Sequence, residues 1–335
     1  MSEVTMITSN HMFWKSGDDA MKVFLVSDTH GKNIDLISAY AEEVKADICI
    51  HAGDFGFYDR SSLDALSHEE IRLLIRHSIL PDEQKAVLEQ ATPEERKEAL
   101  EKNRLLGCFS DFIEGKRRFE RPVFATWGNH DDAEIVLRLI KDPIANLRIL
   151  HEKTFFDLGD IVLLGVGGNC VPHKAFTQNC KKGLPGAQCR PTSVLAQYVK
   201  LLETARRIPH GRRVILVTHV SPLVEPFLEL LAWRIGADLT ISGHMGRPNG
   251  ETGTTERKRL PVLRQTYQNL VDIYPDSKKD LELLYPETKE HFIRHINLPD
   301  AEDGYGTLEY EDGKFSFEIR GVDYRKMKEM GVVFP

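Results

Sequence analysis

The sequence predicts a layered α/β fold, and three observations on its 335 residues support this. Short aliphatic runs recur along the chain and are apolar throughout, which is typical of strands buried on both faces. Helix-like stretches lie between several of these runs, for example at 33–45 and 193–207. Near the end, Glu311-Asp312-Gly313 separates two further runs, which is a signal for a β-hairpin. We therefore expect layers of strands and helices that close with two antiparallel strands.

The aliphatic runs mark the strands expected in the core. In chain order they lie at 23–26, 48–50, 123–126, 161–166, 214–218 and 239–241. The closing hairpin adds strands at 307–310 and 314–319. A hydrophobic content of 41% is enough to bury a full core around them.

One large domain at 21–325, with two insertions, fits this chain length. A helical insertion is expected at about 60–120, because Ser67 with Glu70 and Thr92 with Glu95 form capping-box patterns. The segment at about 249–294 is polar and weakly patterned, and we expect a loop insertion with short helices there. Residues 1–20 are read as an added edge strand, a disordered arm or a remnant of cloning, and 326–335 as a C-terminal tail.

The composition limits the kinds of partner that we expect and indicates a cellular compartment. The net charge of -7 and a pI near 6.0 do not indicate nucleic acid as a partner, although they leave it open. No apolar stretch approaches the ~20 residues of a membrane-spanning helix, and the N-terminus lacks the apolar core of a secretory signal. Five cysteines, an odd number, argue for a reducing compartment. We therefore expect a cytoplasmic protein with no membrane partner, and the oligomeric state stays open.

Residues that can bind metal ions follow five of the predicted strands. In chain order they are Asp28, His30, Asp54, Asn129, His130, Asp131, His219 and His244. Because ligands collect at the carboxyl ends of strands in α/β sheets, these distant side chains can converge. An isolated Asp-x-His or Gly-Asp is common by chance, and a lone histidine at a strand end is more often structural. The ordered set at five strand ends is specific, and it predicts a metal centre.

The local spacing of the first motif agrees with this prediction. Asp28 and His30 are two residues apart, and in an extended segment such side chains point to one side. A carboxylate and an imidazole on one side form a suitable ligand pair for manganese, iron or zinc.

The series Asp-x-His, Gly-Asp, Gly-Asn-His-Asp, His and Gly-His resembles the signature of the calcineurin-like metallophosphoesterase superfamily, over about 22–246. The resemblance implies a β-sandwich flanked by helices and two divalent ions, with manganese, iron, zinc and nickel as the candidates. By the same resemblance, Asp28 and His30 hold the first ion and Asp54 bridges to the second. The remaining ligands of the second ion would be Asn129, His219 and His244.

The resemblance also implies a mechanism, in which a hydroxide shared by the two ions attacks a phosphate ester. His130 would stabilise the developing charge or protonate the leaving oxygen, and Asp131 would orient the His130 ring. Arg247 and Arg60 are candidate phosphate contacts from their positions alone.

The chain departs from the family pattern at one ligand position. Many relatives have Gly-His-x-His at the last motif, and the second histidine binds the first ion. Here the motif is Gly243-His244-Met245-Gly246, so Gly246 offers no side chain. The protein serine/threonine phosphatases also lack that histidine and are active, so the departure does not by itself imply an inactive protein.

These features favour an enzyme that hydrolyses a phosphodiester of unknown identity. The alternatives are a phosphomonoesterase, including a protein phosphatase, and a scaffold of this family that binds protein partners with little catalysis. Gly246 gives the scaffold some support, whereas His130 and Asp131 argue for the enzyme because a scaffold has no need of them.

A second cluster of metal-ligand types lies in a glycine-rich stretch. It contains Cys170, His173, Cys180 and Cys189. The spacing matches no common zinc motif and lacks paired Cys-x2-Cys knuckles. We favour a loop with reduced thiols over a zinc site, and His173 or Lys174 could instead line a substrate entrance.

Overall fold

Two six-stranded sheets lie at the centre of the fold in a computed structural model of the chain. The structure describes residues 20–31, 34–58, 62, 71–72, 75, 81–102, 107–169, 195–287, 291–323 and 325. The strands in chain order are β1 (Met21–Val26), β2 (Ile48–Ala52), β3 (Val123–Thr126), β4 (Leu147–Ile149), β5 (Phe156–Asp157), β6 (Ile161–Val166), β7 (Arg213–Thr218), β8 (Leu239–Ser242), β9 (Glu251–Thr255), β10 (Ile293–Asn297), β11 (Gly304–Glu311) and β12 (Lys314–Gly321).

Parallel strands form most of each sheet, with antiparallel strands at one edge of the first sheet and at both edges of the second. The first sheet has the order β12-β11-β1-β2-β3-β4, and the second has the order β5-β6-β7-β8-β10-β9. Strands β1 to β4 pair in parallel, as do β6, β7, β8 and β10. The carboxyl ends of the parallel strands within each sheet therefore lie at one edge.

Helices cover the sheets. In chain order they are α1 (Ile34–Glu43), α2 (Asp82–Glu89), α3 (Pro93–Lys102), α4 (Gly107–Ile113), α5 (Ala133–Lys141), α6 (Leu195–Ala205), α7 (Pro226–Ile235), α8 (Leu260–Ile273) and α9 (Lys278–Leu281). Buried residues of α1, α4 and α5 share a cluster with the first sheet, and those of α6, α7 and α8 share one with the second.

The central parallel strands, such as β1, β2, β3 and β6, are largely apolar because both of their faces are buried. Val23 and Leu25 of β1 belong to a core shared by the two sheets. The alternate residues Phe24 and Val26 belong to the cluster under the helices. This arrangement confirms the predicted layered α/β fold, a β-sandwich flanked by helices.

Within the expected helical insertion at 60–120, the described residues 82–89, 93–102 and 107–113 form helices α2, α3 and α4. The capping box at α3 is present: the Glu95 backbone N–H donates to Thr92 Oγ1 at 3.3 Å, and the Thr92 N–H donates to Glu95 Oε2 at 2.7 Å. The second capping-box pattern, Ser67 with Glu70, lies outside the described residues, as do 1–19 and 326–335.

The segment at 249–294 differs from the expected loop with short helices. It contains the edge strand β9, the 14-residue helix α8 and the start of β10. Helix α8 buries one face through Leu260, Leu263 and Leu270, whose wide spacing among polar residues conceals the periodicity. Strand β9 is polar because it lies at a sheet edge and pairs with β10 alone.

The closing hairpin is confirmed. Strands β11 and β12 pair antiparallel, and β11 extends the first sheet beside β1. Asp312 and Gly313 adopt φ values of 49° and 75°, which two-residue hairpin turns of the mirror-image type require. In the part of the chain that the structure describes, no helix has the length and apolarity needed to cross a membrane.

Candidate metal centre

Metal-ligand side chains from both sheets meet at the carboxyl ends of the parallel strands. They form two groups within which the potential ligand atoms lie no more than 4.8 Å apart. The first ligand group is Asp28, His30 and Asp54, and the second ligand group is Asp54, His219 and His244. Because Asp54 belongs to both, the two groups adjoin.

The second ligand group is built around the ring of His219. Its Nδ1 lies 2.9 Å from the carbonyl oxygen of Ala52, which only accepts, so Nδ1 carries a proton and donates. Its Nε2 lies 3.0 Å from Asn129 Oδ1, 3.0 Å from His244 Nδ1 and 3.3 Å from Asp54 Oδ2. In the neutral ring this Nε2 bears a lone pair, which faces the oxygen lone pairs of Asn129 and Asp54.

Such a convergence of buried lone pairs calls for a cation. Burial lowers the pKa of His219, but the carboxylates of Asp54 and Asp28 outweigh it and raise this pKa to about 10. The site thus favours positive charge strongly enough to protonate a buried imidazole. Imidazole nitrogens with carboxylate and amide oxygens form a donor set that fits manganese, iron or zinc, and the His219 Nδ1–H to carbonyl bond is typical of metal-ligating histidines.

The two carboxylates of the first ligand group are buried, and His30 is partly exposed. Asp28 Oδ1 lies 4.0 Å from His30 Nε2, and Asp28 Oδ2 accepts from the His244 backbone N–H at 3.0 Å and from the Ser27 hydroxyl. Burial raises the pKa of Asp28 to about 7, His219 opposes this rise, and the carboxylates of Asp54 and Asp300 add to it. A divalent ion beside Asp28 would offset this cost of holding a buried carboxylate charge.

The backbone at these residues is not extended, which corrects the expectation for Asp28 and His30. Their φ values are 56° and 50°, and those of Asp54 and His244 are 52° and 70°. All four lie in the left-handed region, which non-glycine residues seldom adopt. The two side chains of the first motif therefore approach each other through a turn rather than along a strand.

Close packing at two glycines places the ligand loops against each other. A Cβ at Gly128 would lie 1.9 Å from Asp54 Oδ1, and a Cβ at Gly243 would lie 1.7 Å from Ser27 Oγ. Neither position has room for a side chain, which explains the glycine before Asn129 and the glycine before His244.

His130 lies at the open side of the centre. Its Nε2 is 4.0 Å from Asp54 Oδ2, its backbone N–H donates to Asp54 Oδ1 at 2.7 Å, and its ring packs edge-on against that of His30. The His130 side chain is 15% exposed, whereas that of Asp54 is 1% exposed. His130 can therefore meet a molecule that approaches Asp54 from solvent.

Asp131 differs from the expected support for the His130 ring. Its Oδ1 accepts from the backbone N–H groups of Gly56 and Phe57, and its Oδ2 accepts from those of Phe55 and Gly128. All four acceptor positions of the carboxylate are therefore occupied by backbone donors. Asp131 ties the loop after β2 to the loop after β3 and positions Asp54 and Asn129 through them.

Of the remaining candidates, the structure describes only Arg247. Arg247 forms an ion pair with Glu251, and about half of its side chain is exposed. Arg60, Cys170, His173, Lys174, Cys180 and Cys189 lie outside the described residues. The prediction for the cysteine cluster therefore stays a prediction.

Sequence reasoning gave no place near the site to Asp300, whose carboxylate adds to the raised pKa of Asp28. This residue follows β10, whose own sequence is interrupted by Arg294, His295 and Asn297 and so gave no apolar run. Strand β10 pairs in parallel with β8, so its carboxyl end reaches the same edge as His244. The signal that could have placed Asp300 near the site is its position after a strand that pairs in parallel with β8.

A family model described as calcineurin-like phosphoesterase matches residues 21–248. The chain belongs to the calcineurin-like phosphoesterase family. Membership in this family makes it a metal-dependent phosphoesterase, in agreement with the Asp and His groups at the strand ends. No curated protein matches the chain.

Two solved structures are similar to the chain at low sequence identity. One shares 15% identity with a TM-score of 0.49, and the match covers 90% of this chain and 99% of that one. The other is a metallophosphoesterase from Sphaerobacter thermophilus, with 11% identity, a TM-score of 0.31, and coverage of 94% and 96%. Likenesses this distant add nothing to the family assignment, which rests on the family model.

Proposed function

We propose that this chain hydrolyses phosphate esters at a centre of two divalent ions, and that its preferred substrate is a phosphodiester. The observation that carries the proposal is the shared carboxylate of Asp54, which belongs to both ligand groups. Two cation positions that adjoin across one carboxylate are typical of two-metal hydrolases. When bound, such an ion pair activates water and neutralises the phosphoryl oxygens.

The residues around this centre have different proposed roles. Asp28 and His30 would hold the first ion, Asp54 would contribute to both positions, and Asn129, His219 and His244 would hold the second ion. The Asn129 side chain suits its role as a neutral ligand, because it is buried and its Oδ1 faces His219 Nε2. Nδ2 of Asn129 has no partner among the described residues and is free to donate to a phosphoryl oxygen.

His130 acts on the substrate. Its partly exposed ring beside Asp54 is the group best placed to donate a proton to the leaving oxygen or a hydrogen bond to the developing charge. No serine or cysteine nucleophile is needed, because water attacks. The preference for diesters over monoesters rests on the breadth of the family, so the test compares both ester classes.

The test is hydrolysis of bis-p-nitrophenyl phosphate and p-nitrophenyl phosphate by metal-stripped protein, with Mn²⁺, Fe²⁺, Ni²⁺, Zn²⁺ or Mg²⁺ added back. We expect metal-dependent turnover, faster with the diester, and a loss of more than about 100-fold in Asp54→Asn. Asp312→Asn is the matched control, since Asp312 also has a left-handed backbone, at φ 49°, but lies in the distant hairpin turn. Wild-type protein that holds two ions and hydrolyses neither ester would refute the proposal.

A further inference from the structure

Strand β12 forms one edge of the first sheet, and among the described residues it pairs with β11 alone. Lys314 lies opposite Glu311 across the two-residue turn, so these two residues exchange both of their N–H···O=C bonds. Every second residue after Lys314 bonds β11 in the same way. The residues between them direct their N–H and C=O groups away from the sheet, and they are Phe315, Phe317 and Ile319. The backbone of β12 is therefore open to pairing with one more strand.

The side chains of these three residues form an apolar row on the inner face of β12. They are half-buried and pack against the core that the two sheets share. A cavity of about 280 Å³ lies beside Phe317 and is lined by residues of β9, β10 and β12. Arg294 lines this cavity and donates to the Phe315 carbonyl at 2.8 Å, which leaves that oxygen a second lone pair. A half-exposed apolar row beside such an edge is the kind of surface that an added β-strand covers.

The outer face of β12 carries charges in an order that complements itself. Lys314, Ser316, Glu318 and Arg320 are exposed there. When two β12 strands pair antiparallel about a two-fold axis at Ser316, Lys314 of each copy lies opposite Glu318 of the other. In the same pairing, Asp312 of each copy lies opposite Arg320 of the other. All of the charges on this face are therefore matched by opposite charges, and such cross-strand pairs are stabilising.

The neighbouring registers lack this match. Moving the two-fold axis one residue toward the carboxyl end sets Lys314 against Arg320. Moving it one residue toward the amino end sets Asp312 against Glu318. Like charges directly opposite each other are destabilising. A shift of half a residue sets the charged face of one strand against the apolar row of the other. The sequence of β12 therefore specifies a single register for pairing with its own copy.

We propose that β12 is an interaction surface for a second copy of this chain, which pairs with it antiparallel about Ser316. Phe315 of one copy and Phe317 of the other exchange N–H···O=C bonds, and their side chains extend the apolar row across the contact. Lys314 and Glu318 of opposite copies lie at positions without such bonds, where cross-strand side chains are closest. Two edge strands bury less area than a standard interface, so the dimer is weak and reversible. This inference is independent of the metal centre.

The test is sedimentation equilibrium of the full chain over a range of concentrations. We expect a monomer–dimer equilibrium in the wild type. Lys314→Glu and Glu318→Lys should each weaken the dimer by about 10-fold or more, because two attractive pairs become repulsive. An equimolar mixture of these two variants should recover the wild-type affinity, since each supplies the charge that the other lacks. Lys200→Glu and Glu203→Lys are the matched controls, as they make the same charge changes on an exposed face of α6 and should dimerise as the wild type does.

Three results would overturn the inference. The first is a wild type that stays monomeric at about 100 µM, well above the range of weak biological contacts that this interface size allows. The second is a dimer that both charge reversals leave unchanged, because it would use another surface. The third is a mixture of the two variants that dimerises no better than either alone. If the wild type is monomeric and hydrogen exchange at the Phe317 amide is slow, another segment of the same chain covers this edge instead.

Discussion

Replacing Asp131 by asparagine separates a role in loop structure from a role in orienting His130. The asparagine oxygen can keep one pair of the four backbone donors, either Gly56 and Phe57 or Phe55 and Gly128. Its NH₂ group then faces the other pair, and two buried N–H groups lose their acceptor at a cost of about 1–3 kcal/mol each. Burial raises the pKa of Asp131 to about 6, so the aspartate charge carries a cost that asparagine avoids. We therefore expect Asp131→Asn to lower the free energy of unfolding by about 2–4 kcal/mol.

The assay is urea unfolding followed by far-ultraviolet circular dichroism, in EDTA so that metal binding does not contribute. Asp132→Asn is the control, because Asp132 caps α5 by accepting from the Glu134 N–H at 2.8 Å and asparagine caps as well as aspartate. A loss of 2–4 kcal/mol is a large part of the ~5–15 kcal/mol that holds a domain folded. Unchanged stability together with a large fall in turnover would refute the reasoning. It would instead support the expectation that Asp131 orients the ring of His130.

Two further predictions concern packing and pH. Gly128→Ala places a methyl group 1.9 Å from Asp54 Oδ1, so we expect calorimetry to show Mn²⁺ binding weakened by more than about 10-fold, while Gly321→Ala, where a Cβ meets only ordinary contact, binds normally. Burial lowers the pKa of His295 to about 4, below the ~6.5 of an unfolded chain, so the unfolded state gains its proton first as pH falls. Stability is therefore lost as pH falls from about 6.5 to 4. Urea unfolding at pH 7 and pH 5 measures how far the free energy of unfolding falls between the two, and this fall should be smaller by about 2 kcal/mol in His295→Gln than in the wild type. Equal falls in the two proteins would contradict the prediction.

The strands that carry the metal ligands were predictable because both of their faces are buried. A run such as 161–166 has no polar residue to confuse the pattern, and the predicted and observed bounds coincide there. The polar residues directly after such runs then stand out, and the parallel pairing of the strands brings them to one edge. The same logic fails at β10, where buried polar residues replace aliphatic ones: His295 bonds Thr240 and Thr255, each at 2.7 Å, inside the sheet.

The function of Asp131 was not predictable from its position after His130. Adjacent residues suggested a hydrogen-bonded pair, but the partners of Asp131 include the backbone of residues 55–57, more than 70 positions earlier. Backbone N–H groups leave no mark in a sequence, because every residue except proline has one. The role of a buried carboxylate that binds backbone therefore appears only when the loops are placed in space.

The left-handed backbone at the four ligands Asp28, His30, Asp54 and His244 links folding to metal binding. Each such residue costs on the order of 1–2 kcal/mol, and a free loop would relax it. Here the loops bind one another instead: the N–H of Asp28 donates to the Gly53 carbonyl at 3.0 Å, and that of His30 to the Asp54 carbonyl at 2.9 Å. These bonds, with the Asp131 carboxylate, hold the ligands in place before any ion arrives. Because the ligand residues are already ordered when the chain folds, an ion that enters binds without reorganising the loops.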